Sequence, residues 1–176
     1  MSVGTIVTLV LLMTALILGL IMTKTIFQTS TDNIKTIDQN VKNEINKLFS
    51  ADDTKQIIII PDSKMITLKK GESDAGFGFS IRNTGTEDGV FTYTVKATES
   101  SCKTVSLDKA DSYIALGAQG QDITIAPSSI MQDPIFVRFS VPSTAPACQI
   151  RYLVNVQEGG QTYGSSVGID VTIQSS

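Results

Sequence analysis

An uninterrupted apolar run opens the chain and gives way to a one-sided pattern. Val3 to Met22 reads VGTIVTLVLLMTALILGLIM and contains no charged residue. As a helix rising about 1.5 Å per residue, this run is long enough to span a hydrocarbon core of about 30 Å. Charged residues then appear, while apolar residues recur at spacings of 3, 4, 4 and 3 from Ile34 to Leu48. That spacing is typical of a helix that is apolar on one side. The pattern predicts one long helix over residues 1–52, ending near residues 49–53.

A period of two replaces the helical spacing from residue 53 onward. Alternating apolar residues are typical of strands with one buried face. The four isoleucines at residues 57–60 instead predict a strand buried on both faces, one in a sandwich and one against a neighbour. Asn83 to Gly89 is interpreted as a hairpin-type connection, and Leu107 to Leu116 leaves room for a helical turn. The predicted strands are residues 56–60, 64–68, 75–83, 91–96, 122–126, 134–141, 148–156 and 167–173.

About eight short strands with turn residues between them are typical of an immunoglobulin-like antiparallel β-sandwich. The predicted fold class is therefore α+β, with an assembly helix over residues 1–52 and a sandwich over residues 53–176. Cys102 falls in the irregular region and Cys148 on an inward strand face. If the domain is outside the cell, an even cysteine count predicts a disulfide bridge that clips this region to the core. Two buried free thiols are the alternative.

Composition argues against several function classes. The net charge of −3 and the lack of a basic patch argue against nucleic acid as a partner. The chain has no histidine, so the commonest general base and metal ligand is missing. Neither cysteine has a neighbouring base, and no G-x-S-x-G motif occurs. We therefore expect no enzymatic activity, no cofactor and no metal.

Three interpretations of the N-terminal run compete. A cleaved secretory signal would have a basic start and a small-residue cleavage site, and neither is present. A permanent single-pass anchor fits the length, but it explains neither the missing positive flank nor the apolar stripe that follows. An assembly helix explains both, if a basic leader once preceded Met1 and the chain leaves the membrane for a bundle of its own copies. Ala15 and Gly19 would then allow close helix approach.

The run VGTIVTLVLLMTALILGLIM followed by the stripe to Leu48 resembles archaeal type IV pilins and archaellins. The resemblance covers about fifty residues and implies a leader removed by a dedicated peptidase. Bacterial type IV pilins carry a glutamate early in the mature helix, whereas this chain has Thr5 there and no acid before Asp32. The departure favours the archaeal branch and leaves subunit docking to packing and not to charge pairing.

The predicted function is that of a structural subunit of an extracellular helical filament, with helices in its core and sandwiches on its surface, serving adhesion or cell contact. Its partners would be its own copies, and the membrane before assembly. The alternatives are a single-pass anchored immunoglobulin-like binding module at the cell surface, and an archaellin-type motility subunit. The predicted core-packing residues are Ile6, Leu9, Val10, Leu12, Met13, Leu16, Ile17, Leu20, Phe27, Ile34, Ile37, Val41, Ile45 and Leu48.

Overall fold

The computed structural model describes residues 39–175 continuously and, before them, residues 4, 5, 7, 10, 12–15 and 17, which are helical. The chain divides into two units, Met1–Thr36 and Ile37–Ser176. The predicted continuous helix over residues 1–52 therefore lies largely outside the described residues, although its end is confirmed at Ala51. Within the described part of the chain, no helix is both long and apolar enough to cross a membrane.

The second unit is an immunoglobulin-like β-sandwich preceded by one helix and containing a short second one. Its two helices are α1, Gln39–Ala51, and α2, Leu107–Asp111. Its strands are β1 Ile57–Ile60, β2 Met65–Lys69, β3 Gly76–Ile81, β4 Gly89–Ser100, β5 Ile114–Leu116, β6 Gln119–Ile125, β7 Ile135–Phe139, β8 Cys148–Glu158, β9 Gln161–Thr162 and β10 Val167–Gln174. The small sheet has the order β1-β3-β7-β5, and the large sheet β2-β10-β8-β4-β6 with β9 paired to β8.

The predicted alternation is confirmed where the two sheets face each other. Phe77 and Phe79 of the small sheet are buried, as are Tyr93 and Tyr152 of the large sheet. The Phe79 and Tyr93 rings meet edge to face, with centroids 5.0 Å apart. Because such pairs add to the stabilisation from buried area, the aromatic residues hold the centre of the core.

Two expectations about connectivity were wrong. Residues 83–89 do not form a hairpin, because β3 and β4 belong to different sheets. The buried Asn83 amide nitrogen donates to the carbonyls of Glu87 (2.8 Å) and Ile125 (2.9 Å), which steers the chain across the sandwich. The sandwich is also not wholly antiparallel, since β2 runs parallel to β10. Residues 61–64 connect β1 of the small sheet to β2 of the large sheet, where β2 is the edge strand next to β10.

The irregular region between β4 and β6 is tied to the core by the Tyr152 hydroxyl and by a disulfide, among other contacts. Ser106 caps α2 by accepting a hydrogen bond from the Lys109 amide at 3.3 Å, which confirms the helical turn. Tyr152 donates its hydroxyl to the Ala110 carbonyl at 2.7 Å. The predicted Cys102–Cys148 disulfide is present, with Cα atoms 5.2 Å apart. It joins the segment after β4 to the start of β8, as expected.

Reducing this disulfide, or replacing both cysteines by serine, should lower the free energy of unfolding. A bridge that closes 46 residues contributes about 4 kcal/mol in the chain-entropy model. Urea unfolding of the detergent-solubilised full chain, followed by tyrosine fluorescence, measures the difference between oxidised and reduced samples. Equal unfolding midpoints in the two samples would contradict the expectation.

Tyr152 should make the fold sensitive to alkali. Burial, reinforced by the charge of Asp111, raises the pKa of Tyr152 above its ordinary value of 10.0. The folded state then holds a proton that the unfolded state releases, so stability falls as the pH rises above about 10. Tyr152→Phe should cost about 1 kcal/mol at pH 8, because the Ala110 carbonyl loses the hydroxyl as a donor and keeps the Tyr113 amide. Urea unfolding at pH 8 and pH 11 should show a smaller alkaline loss in Tyr152→Phe than in the wild type; equal losses would contradict this.

Candidate functional site: the joint between helix and sandwich

The outer face of β1 is covered by the helix of the same chain. Ile57 and Ile59 point into the main core. Ile58 faces the other way and forms a second cluster with Ile45 and Phe49 of α1, where the three side chains are only 4%, 1% and 1% exposed. The neighbour predicted for the second face of the isoleucine strand is therefore α1 itself.

Arg82, the residue after β3, caps the C-terminal end of α1. Its guanidinium donates to the Phe49 carbonyl at 2.8 Å and, through a longer contact of 3.5 Å, to the Asp52 carbonyl. The same guanidinium lies 4.7 Å from the centroid of the Phe49 ring. The last carbonyls of a helix have no partner within the helix, and a cation there also complements the helix dipole. Arg82 supplies hydrogen bonds, charge and a cation–π contact at one point.

The segment after β6 completes the contact. Ile130 pairs with Arg82 in an isolated antiparallel bridge, and Met131 donates its amide to the Ile81 carbonyl at 2.8 Å. The Ile130 side chain packs against the Ile45, Phe49 and Ile58 cluster. Farther along the segment, the Asp133 carboxylate accepts a hydrogen bond from the Lys42 ammonium at 2.7 Å. We call α1, β1, Arg82 and residues 129–133 the joint.

A hydrogen-bonded turn ends α1 on the solvent side of the joint. The Asp52 carboxylate accepts from the Thr54 hydroxyl at 2.6 Å and from the Thr54 amide at 3.0 Å. These two bonds, the hydroxyl first, lower the pKa of Asp52 below its ordinary value of 3.8. The Asp52 carboxylate therefore stabilises the turn that follows α1. Across the described residues, no three acidic or cysteine side chains converge to hold a metal ion.

The predicted packing residues fall into three groups. Ile45 and Leu48 belong to the joint, so within one chain they pack against its own sandwich. Val10, Leu12, Met13 and Ile17 are helical and exposed, with Leu12 and Met13 at 67% and 64%. The remaining positions, including the side chain of Val41, lie outside what the structure describes; they are Ile6, Leu9, Leu16, Leu20, Phe27, Ile34, Ile37 and Val41.

Sequence reasoning missed Arg82 and Ile130. Arg82 follows an alternating strand and lies 33 residues after Phe49, so no local pattern connects it to the helix. One signal was available. Arg82 directly follows β3, and the strand next to β3 is β1, whose apolar outer face has to be covered. Ile130 stands in a Pro- and Ser-containing loop, IAPSSIMQDP, where an apolar residue indicates burial against something beyond the loop.

No family model and no curated protein matches the chain. Among solved structures, it is similar to a family 123 glycoside hydrolase from Clostridium perfringens (TM-score 0.41, 8% identity, 62% of this chain and 22% of that chain). It is also similar to WR4, an MSP family member of C. elegans (0.37, 10%, 69% and 98%). A third is self-complemented MyfA, the major subunit of Myf fimbriae from Yersinia enterocolitica (0.32, 14%, 67% and 96%). At such identities and TM-scores, function has to follow from the chain's own residues.

Phe49→Ala should detach α1 from the sandwich. Loss of a fully buried phenylalanine ring costs about 3–5 kcal/mol, and here it also removes the surface on which Arg82 stacks. Hydrogen exchange should show faster exchange at the amides of residues 42–51, while β4 and β8 stay protected.

Val90→Ala is the control, because Val90 is 47% exposed on β4 and its truncation should change stability by no more than about 0.5 kcal/mol. Unchanged protection of α1 in Phe49→Ala would show that the cluster does not hold the helix.

Proposed function

We propose that this protein is a structural subunit of an extracellular helical filament of the archaeal type IV pilus kind, serving adhesion or cell contact. One observation carries the proposal: a twenty-residue run without charge, of which Val10, Leu12, Met13 and Ile17 are helical and exposed in the single chain. Such a run needs an apolar environment. The amphipathic stripe that follows it favours identical helices over lipid as the final environment.

In the proposed filament, the apolar run and the stripe positions Ile34 and Ile37 pack among the helices of other copies. Ile45 and Phe49 keep their places in the joint, so each copy carries its own sandwich on its own helix. The helices would form one continuous bundle from the membrane run to α1. The end of the stripe has a partner in its own chain, and the proposal assigns the earlier part to contacts with other copies.

The energetics of such packing are sufficient for a polymer without covalent links. At about 25 cal/mol per Å², burial of roughly 2,000 Å² of apolar surface is worth tens of kcal/mol before the costs of ordering. Copies related by a head-to-tail contact that does not close on itself form filaments and not rings.

The outward chemistry of the sandwich suits the surface of such a filament. On the large sheet, Arg151 lies between Glu99 and Asp170 on the neighbouring strands, and its side chain is 3.8 Å from the Asp170 carboxylate. Thr94 and Lys96 are exposed on the same sheet. Disulfides form and persist in oxidising compartments such as the cell exterior. The proposed role is structural, with no enzymatic step.

The second candidate is a single-pass membrane protein that displays one immunoglobulin-like binding module. The length of the charge-free run favours it, since a lone anchor needs about 20 apolar residues. An archaellin-type motility filament shares the proposed architecture and differs in its motor. The anchor differs in being a monomer, and this separates it from both filaments.

Replacing Ile34 and Ile37 together by aspartate should abolish filaments and leave a folded, membrane-held chain. Two carboxylates in a helical bundle would lose their hydration without gaining partners. The matched control is Thr36→Asp with Asn43→Asp, which adds the same charge on the opposite side of the helical stripe. Electron microscopy of surface material from cells producing each variant gives the result.

Filaments are expected from the wild type and the control only. Filaments from the Ile34/Ile37 variant would refute packing along the stripe, and monomers alone from the wild type would favour the anchored module.

A further inference from the structure

We propose that Arg82 is a positioning residue that fixes the direction in which α1 leaves the sandwich, and through it the geometry of the polymer. The inference rests on the proposed function for its second half only. Its first half, the fixed direction, concerns the joint within one chain.

The apolar part of the joint does not set a direction by itself. Three buried side chains, Ile45, Phe49 and Ile58, form its centre, and the partly buried Leu48, Ile60 and Ile130 pack around them. Apolar burial is non-directional, so these contacts alone would allow α1 to tilt against the sandwich and to rotate about its own axis. Arg82 adds what the cluster lacks, because its bond to the Phe49 carbonyl and its position over the Phe49 ring both depend on the orientation of α1.

The backbone of Arg82 is itself held from three sides. Its amide donates to the Gln56 carbonyl at 2.8 Å, just before β1. Its carbonyl accepts from the Tyr163 hydroxyl at 2.7 Å, and the Tyr163 ring packs edge to face on Phe91 of the main core, 4.8 Å between centroids. The bridge to Ile130 holds the third side. The guanidinium therefore extends from a fixed point in the sandwich.

A second, weaker contact lies nearer the N-terminal end of α1. Lys42 lies seven residues before Phe49, about 10 Å along the helix axis, and pairs with Asp133. The Asp133 side chain is 77% exposed, so this ion pair is worth little. Two points define the direction of a rod, and Arg82 is the stronger of the two.

In the proposed filament the direction of α1 matters, because the apolar run and α1 would belong to one long helix. In such a helix, a change of about 10° at the joint would move a point about thirty residues away, roughly 45 Å along the axis, by about 8 Å. The axes of packed helices lie about 8–10 Å apart, so a displacement of that size equals about one interhelical distance. A loose joint would therefore allow several subunit arrangements where a fixed joint allows one.

The direct test uses the full-length protein in detergent, with spin labels at Asn43→Cys on α1 and Thr94→Cys on the large sheet and with the Cys102–Cys148 bridge kept oxidised. Both label positions are exposed. The wild-type distance distribution should be narrow, and Arg82→Ala should broaden it at least twofold. Arg82→Lys keeps a charge over the ring but lacks the planar fork, so it should give an intermediate width.

Arg151→Ala is the matched control, because it removes a half-exposed arginine from the opposite sheet. Thermal unfolding establishes that each variant is folded; if Arg82→Ala is not, Arg82→Lys decides. An Arg82 variant with the mean distance and width of the wild type overturns the inference.

Electron microscopy of the polymers tests the second half. Arg82→Ala filaments should show a persistence length at least twofold shorter, or a mixed helical twist, while Arg151→Ala filaments match the wild type. Wild-type stiffness and twist in Arg82→Ala overturn the inference and leave the filament proposal standing. A wild-type protein that never polymerises overturns the filament proposal, and the label distances still decide whether Arg82 fixes α1.

Discussion

The need to cover both faces of one edge strand governs this structure. Four consecutive isoleucines form β1, and among the described strands only β3 pairs with it. The main core takes Ile57 and Ile59, but Ile58 would face water on the outside of the small sheet without α1. Covering it draws the last turns of the amphipathic helix onto the sandwich. The helix and the β-domain therefore meet at a packed surface within the described unit and are not joined only by a linker.

The joint combines two kinds of interaction with different consequences. The Ile45, Phe49 and Ile58 cluster supplies affinity, because it removes apolar surface from water. Arg82 supplies orientation, because hydrogen bonds and ring contacts depend on angle. In a filament the second property matters as much as the first, since a polymer with one helical symmetry needs every copy to present its helix at the same angle. In the proposed filament, the exposed charges and threonines of the large sheet would face outward.

Patterns with short sequence spacing predicted the structure well. The period of two located the core strands, and the loss of helical spacing after Leu48 predicted a helix end near residues 49–53, where the structure has Ala51. The cysteine pair was predicted from the even cysteine count in a domain expected outside the cell, and the disulfide is present. The failures concern pairing in space. Nothing local in residues 83–89 distinguishes a hairpin from a crossing between sheets, because the deciding bond joins Asn83 to Ile125, 42 residues away. The three residues of β5 are too few to show alternation. The use of Ile45 by its own sandwich depends on β1, Ile130 and Arg82 coming together, and the spacing of the stripe carries no information about that.

The central claim is that the apolar helix finds its final place among identical helices while the joint stays closed within each copy. A helical reconstruction of the assembly formed by the wild-type protein after detergent removal tests it most directly. The account predicts a filament with the N-terminal helices at its centre, the sandwiches outside, and Ile45 and Phe49 of each copy against that copy's own Ile58. Isolated copies that never elongate, or a polymer whose helices lie away from the axis, would contradict it.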